Sequence, residues 1–169
     1  NVSHIAGLTQ DITEQRQAEQ RLRESEEKFT KAFQSHPTPM QILNIQTGER
    51  LEINASCVRL YESDRASIES KTLYERNRWV HPEQQQSSIG ELLERRTLTN
   101  YPIEVYNNAG EVMHLLVSAA MLDLGDGNLA VLSYINVTEQ RQAEMALRES
   151  EARWRTLINT LPDPIWLKD

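Results

Sequence analysis

An internal repeat constrains the possible folds of this chain more than any other feature of its sequence. Residues 13–26 read TEQRQAEQRLRESE and residues 138–151 read TEQRQAEMALRESE, so 12 of 14 positions are identical at an offset of 125 residues. The correspondence weakens beyond these segments but continues, since Phe29 matches Trp154. Solenoid repeats have much shorter units of about 20–50 residues. The repeat therefore predicts one complete domain with its connector, followed by the start of a second such unit.

The composition excludes several classes of protein. The 25 acidic and 18 basic side chains give a net charge of −7, which disfavours binding to the phosphates of nucleic acids. Cys57 is the single cysteine and allows neither a disulfide framework nor a cysteine-rich zinc site. The longest apolar run, residues 115–122, is too short to span a bilayer, and residues 1–12 lack the pattern of a signal peptide. We expect a soluble, cytoplasmic part of a larger protein that makes no contact with a membrane.

Both copies of the repeat are predicted to be helical. They contain no Gly or Pro and are rich in Glu, Gln, Arg and Ala, which favour helices. Asp11 with Glu14, and Asn136 with Glu139, have the spacing of a capping box, which predicts that each helix begins at the Asp or Asn.

The two predicted helices share a heptad pattern. The positions that alternate by three and four residues include Ala18, Leu22, Ser25 and Phe29 in the first helix, and Ala143, Leu147, Ser150 and Trp154 in the second. This pattern predicts a parallel two-stranded coiled coil, hence a homodimer, whose polar positions keep the seam weak enough to shift register. The alternative is a single amphipathic helix that lies on its own domain.

The segment between the helices is predicted to be rich in strands. The predicted order is β-β-α-α-α-β-β-β, with strands over residues 40–45, 51–54, 101–105, 112–124 and 129–137 and helices over residues 56–60, 65–68 and 82–97. Residues 115–122 are apolar on both faces, which is typical of a strand that is covered on both sides. We expect the short helices to cover one face of the sheet and a connector helix to cover the other.

Several motifs in these elements resemble the PAS domain and the signalling linkers that flank it. They are Ile53-Asn54-Ala55, Trp79-Val80-His81-Pro82-Glu83, Asn136-Val137-Thr138-Glu139 and Leu147-Arg148-Glu149-Ser150-Glu151. The resemblance implies an α+β fold: a five-stranded antiparallel sheet in the order 2-1-5-4-3, short helices on one face, and long linker helices at both ends. It also implies a bacterial multidomain sensor, in which the segment lies upstream of a histidine kinase or a diguanylate cyclase.

The same resemblance divides the chain into five parts. Residues 1–12 end a preceding PAS domain, 13–35 form a signalling helix, 36–137 form a PAS domain, 138–160 form a second signalling helix, and 161–169 begin a following PAS domain. A signalling junction at the start of each helix would comprise Asp11, Thr13, Glu14, Asn136, Thr138 and Glu139. The implied partners are a second copy of the chain and the neighbouring PAS and output domains.

A few positions depart from the PAS pattern. Asn136 stands where the linker motif usually has Asp, which keeps a helix cap but loses any salt bridge made by that Asp. Many relatives carry Gly-Tyr after the first short helix and Gly after the second, where this chain has Glu62-Ser63 and Ser70. These changes bear on the geometry of the short helices rather than on the fold.

The sequence contains no recognisable catalytic motif. It lacks a Gly-x-Ser-x-Gly elbow, a phosphate-binding loop and a His-Glu-x-x-His zinc motif. Cys57 lies outside any flavin-binding motif, so we expect it to pack as a small buried hydrophobic residue. His81 precedes Pro82, where the family commonly has a structural His-Pro, which disfavours a haem ligand. The other histidines have no metal-ligand spacing: His4, His36 and His114. We expect no enzyme activity, no cofactor and no metal in this segment.

The sequence alone does not decide whether the domain contains a small apolar pocket. Its candidate lining is Ile42, Ile53, Ile89, Leu93, Ile103, Val105 and Tyr134. An equal alternative is that the same side chains simply fill the core. The sequence favours a non-catalytic sensory and dimerisation module that relays a signal through its linker helices to a downstream output domain. The alternative is a sensor that binds a small ligand or a cofactor such as haem.

Overall fold

Five antiparallel strands form a single sheet, with helices before it, after it and on one of its faces. The computed structural model describes residues 2–160 except 77 and 126, and side chains within residues 14–159. The described elements are α1 (Val2–Ser35), β1 (Met40–Asn44), β2 (Arg50–Ile53), α2 (Ala55–Leu60), α3 (Arg65–Glu69), α4 (Pro82–Arg95), β3 (Thr97–Tyr106), β4 (Val112–Leu122), β5 (Leu129–Asn136) and α5 (Thr138–Thr160). The strands lie in the order β2-β1-β5-β4-β3. The predicted fold class, strand order and order of elements are confirmed.

Alternate residues of the central strands face the helices and form the core. In β4 these buried residues are Met113, Leu115, Val117 and Ala119. Leu132 and Tyr134 of β5 lie on the same side of the sheet, and Leu92 of α4 packs against them. This period of two is what a strand with one buried face requires, and burial of these side chains is the main source of stability.

A buried asparagine joins the first two strands to the first short helix. The side chain of Asn54 is fully buried, and its Oδ1 accepts hydrogen bonds from the backbone N–H groups of Cys57 at 2.8 Å and Met40 at 3.0 Å. Its Nδ2 donates to the carbonyl of Thr38 at 2.8 Å. Asn54 is therefore both the N-cap of α2 and a link between β1 and β2, which accounts for its place in the Ile53-Asn54-Ala55 motif.

The two Gly positions of the PAS pattern behave differently in this chain. Glu62, after α2, has φ of 49°, which lies in the left-handed region that favours Gly. Ser70, after α3, has φ of −67° and is right-handed. Only the first of the two positions therefore places a backbone demand that Gly would meet better.

The first helix begins earlier than its capping pattern predicts. α1 runs without a break from Val2 to Ser35, so Asp11 lies inside the helix and the predicted start there is wrong. Residues 2–12 are helical and not a strand. A strand here would have no neighbouring strand to pair its backbone groups, whereas a helix pairs them internally. The assignments of residues 1–12 and 161–169 to neighbouring domains remain predictions, and residues 161–169 lie outside the described residues.

The outer face of the sheet is not covered by a connector helix in the single chain. Residues 14–32 of α1 and 139–149 of α5 are exposed, and Ile135 on the outer face of β5 is 52% exposed. The expectation that a connector would cover this face is therefore wrong. Only Val137 separates β5 from α5, which leaves too little chain to turn the helix back over the sheet. Within the described ranges, no helix is apolar over a stretch long enough to cross a bilayer.

Candidate functional site

A cavity of about 70 Å³ lies between the inner face of the sheet, α4 and the loop that precedes α4. On the same scale a single water needs roughly 10–15 Å³, so the cavity has room for a small molecule. Most of its wall is apolar: β3 contributes Leu98, Ile103 and Val105, β4 contributes Leu115 and Val117, and α4 contributes Ile89 and Leu92. The core is therefore not completely filled by its own side chains.

The structure places four of the seven predicted pocket residues on this wall. Ile89, Ile103, Val105 and Tyr134 line the cavity, whereas Ile42, Ile53 and Leu93 do not. For those three the predicted placement is wrong, and each has a distinct physical reason. Ile42 lies between the buried residues Gln41 and Leu43 and so faces the opposite side of β1.

The other two misplaced residues lie in a separate cluster and on the surface. Ile53 is fully buried, but it packs with Cys57 and Ile68 beneath the short helices. Leu93 is 51% exposed because the preceding residue, Leu92, occupies the inward position of α4. Helical periodicity alone does not decide which of two adjacent leucines faces inward.

The polar part of the cavity wall was not predicted from the sequence. Arg50, Tyr61, Arg76, Arg78, Gln85 and Ser88 all line the cavity. Arg76 and Arg78 lie in the loop before α4, where no periodic pattern reveals which way a side chain faces. Arg50 precedes the strand predicted over residues 51–54, so its buried position in β2 was not predicted either.

Gln41 organises a buried hydrogen-bond network beside the cavity. Its Nε2 donates to the hydroxyl of Tyr134, and its Oε1 accepts from Nε of Arg50 at 3.1 Å. Arg50 Nη1 also donates to the carbonyl of Lys71. Burial raises the pKa of Tyr134 well above its ordinary value, and burial likewise raises the pKa of Tyr61, which bonds to it. Both hydroxyls therefore remain protonated near neutral pH.

Cys57 is buried and chemically quiet. Its side chain is fully buried in the cluster beneath the short helices. Burial raises the pKa of its thiol to about 12, although the positive charges of Arg50 and Arg65 oppose this effect. Since the thiolate is the reactive form of cysteine, the structure supports the predicted role as a small buried hydrophobic residue.

His81 lies outside the cavity wall. It precedes the first turn of α4, where Pro82 occupies the first helical position. Its ring nitrogens lie 3.5 Å from carboxylate oxygens of Glu83 and Glu104. In the part of the chain that the structure describes, no group of three or more His, Cys, Asp or Glu side chains is arranged to hold a metal ion.

The junction between β5 and α5 is tied to β4 by one hydroxyl. Thr138 Oγ1 accepts from the backbone N–H of His114 at 2.9 Å and donates to Oδ1 of Asn136 at 2.6 Å. The same Oδ1 accepts from the Thr138 N–H at 3.0 Å, and the Val137 N–H donates to the His114 carbonyl at 2.9 Å. The first residues of α5 are thus fixed to the backbone of β4.

Of the four predicted junction residues whose side chains the structure describes, it brings together Asn136 and Thr138. Glu14 and Glu139 are exposed, and the side chains of Asp11 and Thr13 lie outside the described residues. The helix begins at Thr138, the first residue of the predicted second signalling helix, and Asn136 closes β5 two residues earlier. A different ionic contact links α5 to the sheet, since Arg141 Nη1 lies 4.0 Å from Oε1 of Glu104 in β3.

The predicted seam residues are accessible along both long helices. The large members, Leu22, Phe29, Leu147 and Trp154, are each more than half exposed. Phe29 stacks on Phe33 of its own helix with ring centroids 5.8 Å apart, and Phe33 is buried against the domain. Ala18, Ser25 and Ala143 are exposed and Ser150 is half-buried. A single chain therefore leaves this row of apolar side chains in contact with solvent.

Comparison with known proteins identifies the fold. No family model matches the chain, and no curated protein matches it in sequence. The PAS domain of an HTR-like protein from Haloarcula marismortui has 15% identity and a TM-score of 0.58, over 72% of this chain and 98% of that one. A PAS domain from a two-component sensor histidine kinase has 16% identity and a TM-score of 0.56, over 66% and 98%. The PAS domain of the fruit-fly ELK potassium channel has 17% identity and a TM-score of 0.54, over 66% and 96%. This chain has the PAS fold.

Proposed function

We propose that this chain is a non-catalytic sensory and dimerisation module that passes a signal through α5 to a downstream output domain. The observation that carries the proposal is the junction at Thr138, where one hydroxyl joins β4, β5 and the first turn of α5. A shift of either strand must move this turn, because all three elements share the same hydrogen bonds. The PAS fold and its similarity to a domain from a sensor histidine kinase support the same proposal.

The cavity is coupled to the junction through neighbouring residues of two strands. Tyr134 lines the cavity and lies two residues before Asn136, and Leu115 lines the cavity next to His114. A change in cavity occupancy that moves Tyr134 or Leu115 therefore acts directly on the bonds that hold α5. This arrangement favours the second candidate function, a sensor that responds to a small ligand.

The exposed seam supports a parallel homodimer as the functional unit. A second copy of α1 and α5 offers the same apolar row at the same heptad spacing, so it covers the exposed side chains. Ser25 and Ser150 lie within this row and weaken it, which allows α5 to shift register or rotate. We place the module in the cytoplasm, in a bacterial sensor that ends in a histidine kinase or a diguanylate cyclase. The repeat at residues 138–151 supports a chain of such modules.

Strengthening the seam tests the relay. Ser25→Leu and Ser150→Leu together are expected to tighten the dimer at least tenfold by sedimentation, because each adds an apolar side chain to the interface; ten-fold corresponds to about 1.4 kcal/mol. In the full-length protein, output should then become insensitive to its stimulus. Gln142→Leu is the matched control, since it adds leucine to an exposed position off the seam. A tighter dimer with normal regulation of output would contradict the relay.

A further inference from the structure

Three arginines line a cavity whose wall is mostly apolar. Arg50, Arg76 and Arg78 contribute to the wall beside Trp79 and Ile89. Within the part of the chain that the structure describes, the carboxylates that form ion pairs do so with other cations, and none of the three arginines takes part. The cavity is therefore a positively charged site in a chain whose net charge is −7.

Three hydrogen-bond donors at this wall lack partners. Arg76 Nη1, Arg78 Nη1 and Gln85 Nε2 are buried and have no acceptor among the described residues. Buried donors without acceptors are costly, so most native sites supply a partner. The other buried atom without a partner, Gln84 Oε1, belongs to a residue that does not line the cavity. Every missing partner at the wall is therefore an acceptor.

The two arginines of this group are held by contacts with other parts of the domain. The Arg78 carbonyl accepts from the Tyr106 N–H at 2.7 Å, which holds this residue along β3, and Arg78 Nη2 donates to Oδ1 of Asn108. Arg76 lies over the ring of Tyr61, with its guanidinium carbon 5.3 Å from the ring centroid. These contacts restrict the side chains of Arg76 and Arg78, which lowers the entropic cost of binding an acceptor.

The electrostatics of the cavity favour a negative charge. Burial, together with the positive charges of Arg78 and Arg50, lowers the pKa of the Arg76 guanidinium. An anion beside Arg76 would relieve this repulsion and accept the unpaired N–H groups. A carboxylate suits the small, mostly apolar volume better than a phosphate monoester, because the second charge of a phosphate adds a further desolvation cost.

We propose that the cavity binds a small organic acid, with its carboxylate held by Arg76, Arg78 and Gln85 and its apolar body against Trp79, Ile89 and Leu92. This inference rests on the proposed sensory function and names the chemical class of its signal. The planar guanidinium fork matches the two oxygens of a carboxylate, and the apolar wall selects against highly polar acids.

Matched acids and amides test the proposal directly. Benzoate and hexanoate are titrated into the protein by calorimetry, with benzamide and hexanamide as neutral analogues of the same shape. At least one acid is expected to bind and to raise the melting temperature, whereas its amide does neither. Arg76→Met is expected to weaken binding of that acid by about 10-fold to 100-fold, the value of a charge-assisted hydrogen bond. Arg95→Met, on the exposed surface of α4, is the control and should bind as the parent does.

Several results would overturn this inference. They are the absence of binding by both acids, equal binding of acid and amide, or equal losses in the Arg76 and Arg95 variants. Gln85→Leu provides a second test if Arg76→Met fails to fold, and it too should weaken the acid selectively. The relay is judged by a different measurement, the oligomeric state. A dimer that binds neither acid overturns only the ligand class, whereas a monomer that binds one overturns the relay.

Discussion

Substitution by Gly is predicted to change the free energy of unfolding in opposite directions at two residues near the short helices. Glu62→Gly is expected to raise the free energy of unfolding by about 0.5–1 kcal/mol, because φ of 49° strains a residue with a side chain. Ser70→Gly is expected to lower it by a similar amount, since φ of −67° needs no Gly. The substitution adds flexibility to the unfolded chain and also removes the exposed hydrogen bond that Ser70 Oγ donates to the Ser67 carbonyl at 3.0 Å. Urea denaturation of both variants measures the pair. Changes of the same sign would show that backbone conformation does not control these positions.

The buried thiol of Cys57 predicts a loss of stability in alkaline solution. Its pKa is about 12 in the folded chain, compared with 9.0 for an ordinary thiol. The contribution of the thiol to the free energy of unfolding is therefore fully present below pH 9.0. It is lost as the pH rises toward 12, because in this range only the unfolded chain releases the proton. Urea denaturation from pH 7 to 10.5 should show a shallower alkaline decline for Cys57→Ala than for the parent. Parallel declines would contradict the raised pKa, since Tyr61 and Tyr134 are present in both proteins.

Residue-level prediction succeeded where periodicity decides orientation and failed where it does not. Alternation in β3 correctly places Ile103 and Val105 on the inner face. The orientation of Arg76 depends instead on how an irregular loop packs against Tyr61, which leaves no local pattern in the sequence. The polar part of the cavity wall therefore required the three-dimensional structure.

Among the secondary-structure elements, the junction between β5 and α5 is the one on which the proposed relay depends. Thr138→Val keeps the shape of the side chain but removes the hydroxyl that joins Asn136 to the His114 N–H. We expect hydrogen exchange at the His114 amide to become about tenfold faster, and the free energy of unfolding to fall by about 1 kcal/mol.

A matched substitution separates this effect from a general loss of stability. Thr99→Val makes the same change at an exposed position of β3, and should leave the exchange rate of His114 unaltered. Unchanged hydrogen exchange at the His114 amide in the Thr138 variant would mean that the hydroxyl does not stabilise the junction between β5 and α5.

The elements themselves were largely predictable, and their ends less so. The second linker helix was predicted over residues 138–160 and spans Thr138–Thr160. The first helix continues past its predicted cap at Asp11 as far as Val2. Capping patterns identify where a helix is able to begin, whereas the available partners decide whether it does.

At the scale of the whole molecule, the exposed apolar row is the feature that a single chain does not explain. The domain buries its own core, yet Leu147 and Trp154 of α5 are 59% and 64% exposed. The heptad spacing that predicted a coiled coil in the sequence is the same spacing that leaves these side chains in one row. The repeat thus predicted the row of exposed apolar side chains. A single chain contains only half of the proposed interface.

A native mass spectrum of the protein at tens of micromolar distinguishes the dimer that the relay requires from a monomer. Each chain has a mass of 19.5 kDa, so the relay predicts a dimer near 39 kDa. Additional mass on the dimer of the parent that is absent from the dimer of the Arg76→Met variant would also support the bound acid. A monomer of 19.5 kDa at this concentration would contradict the account, because a signal carried by paired helices requires two chains.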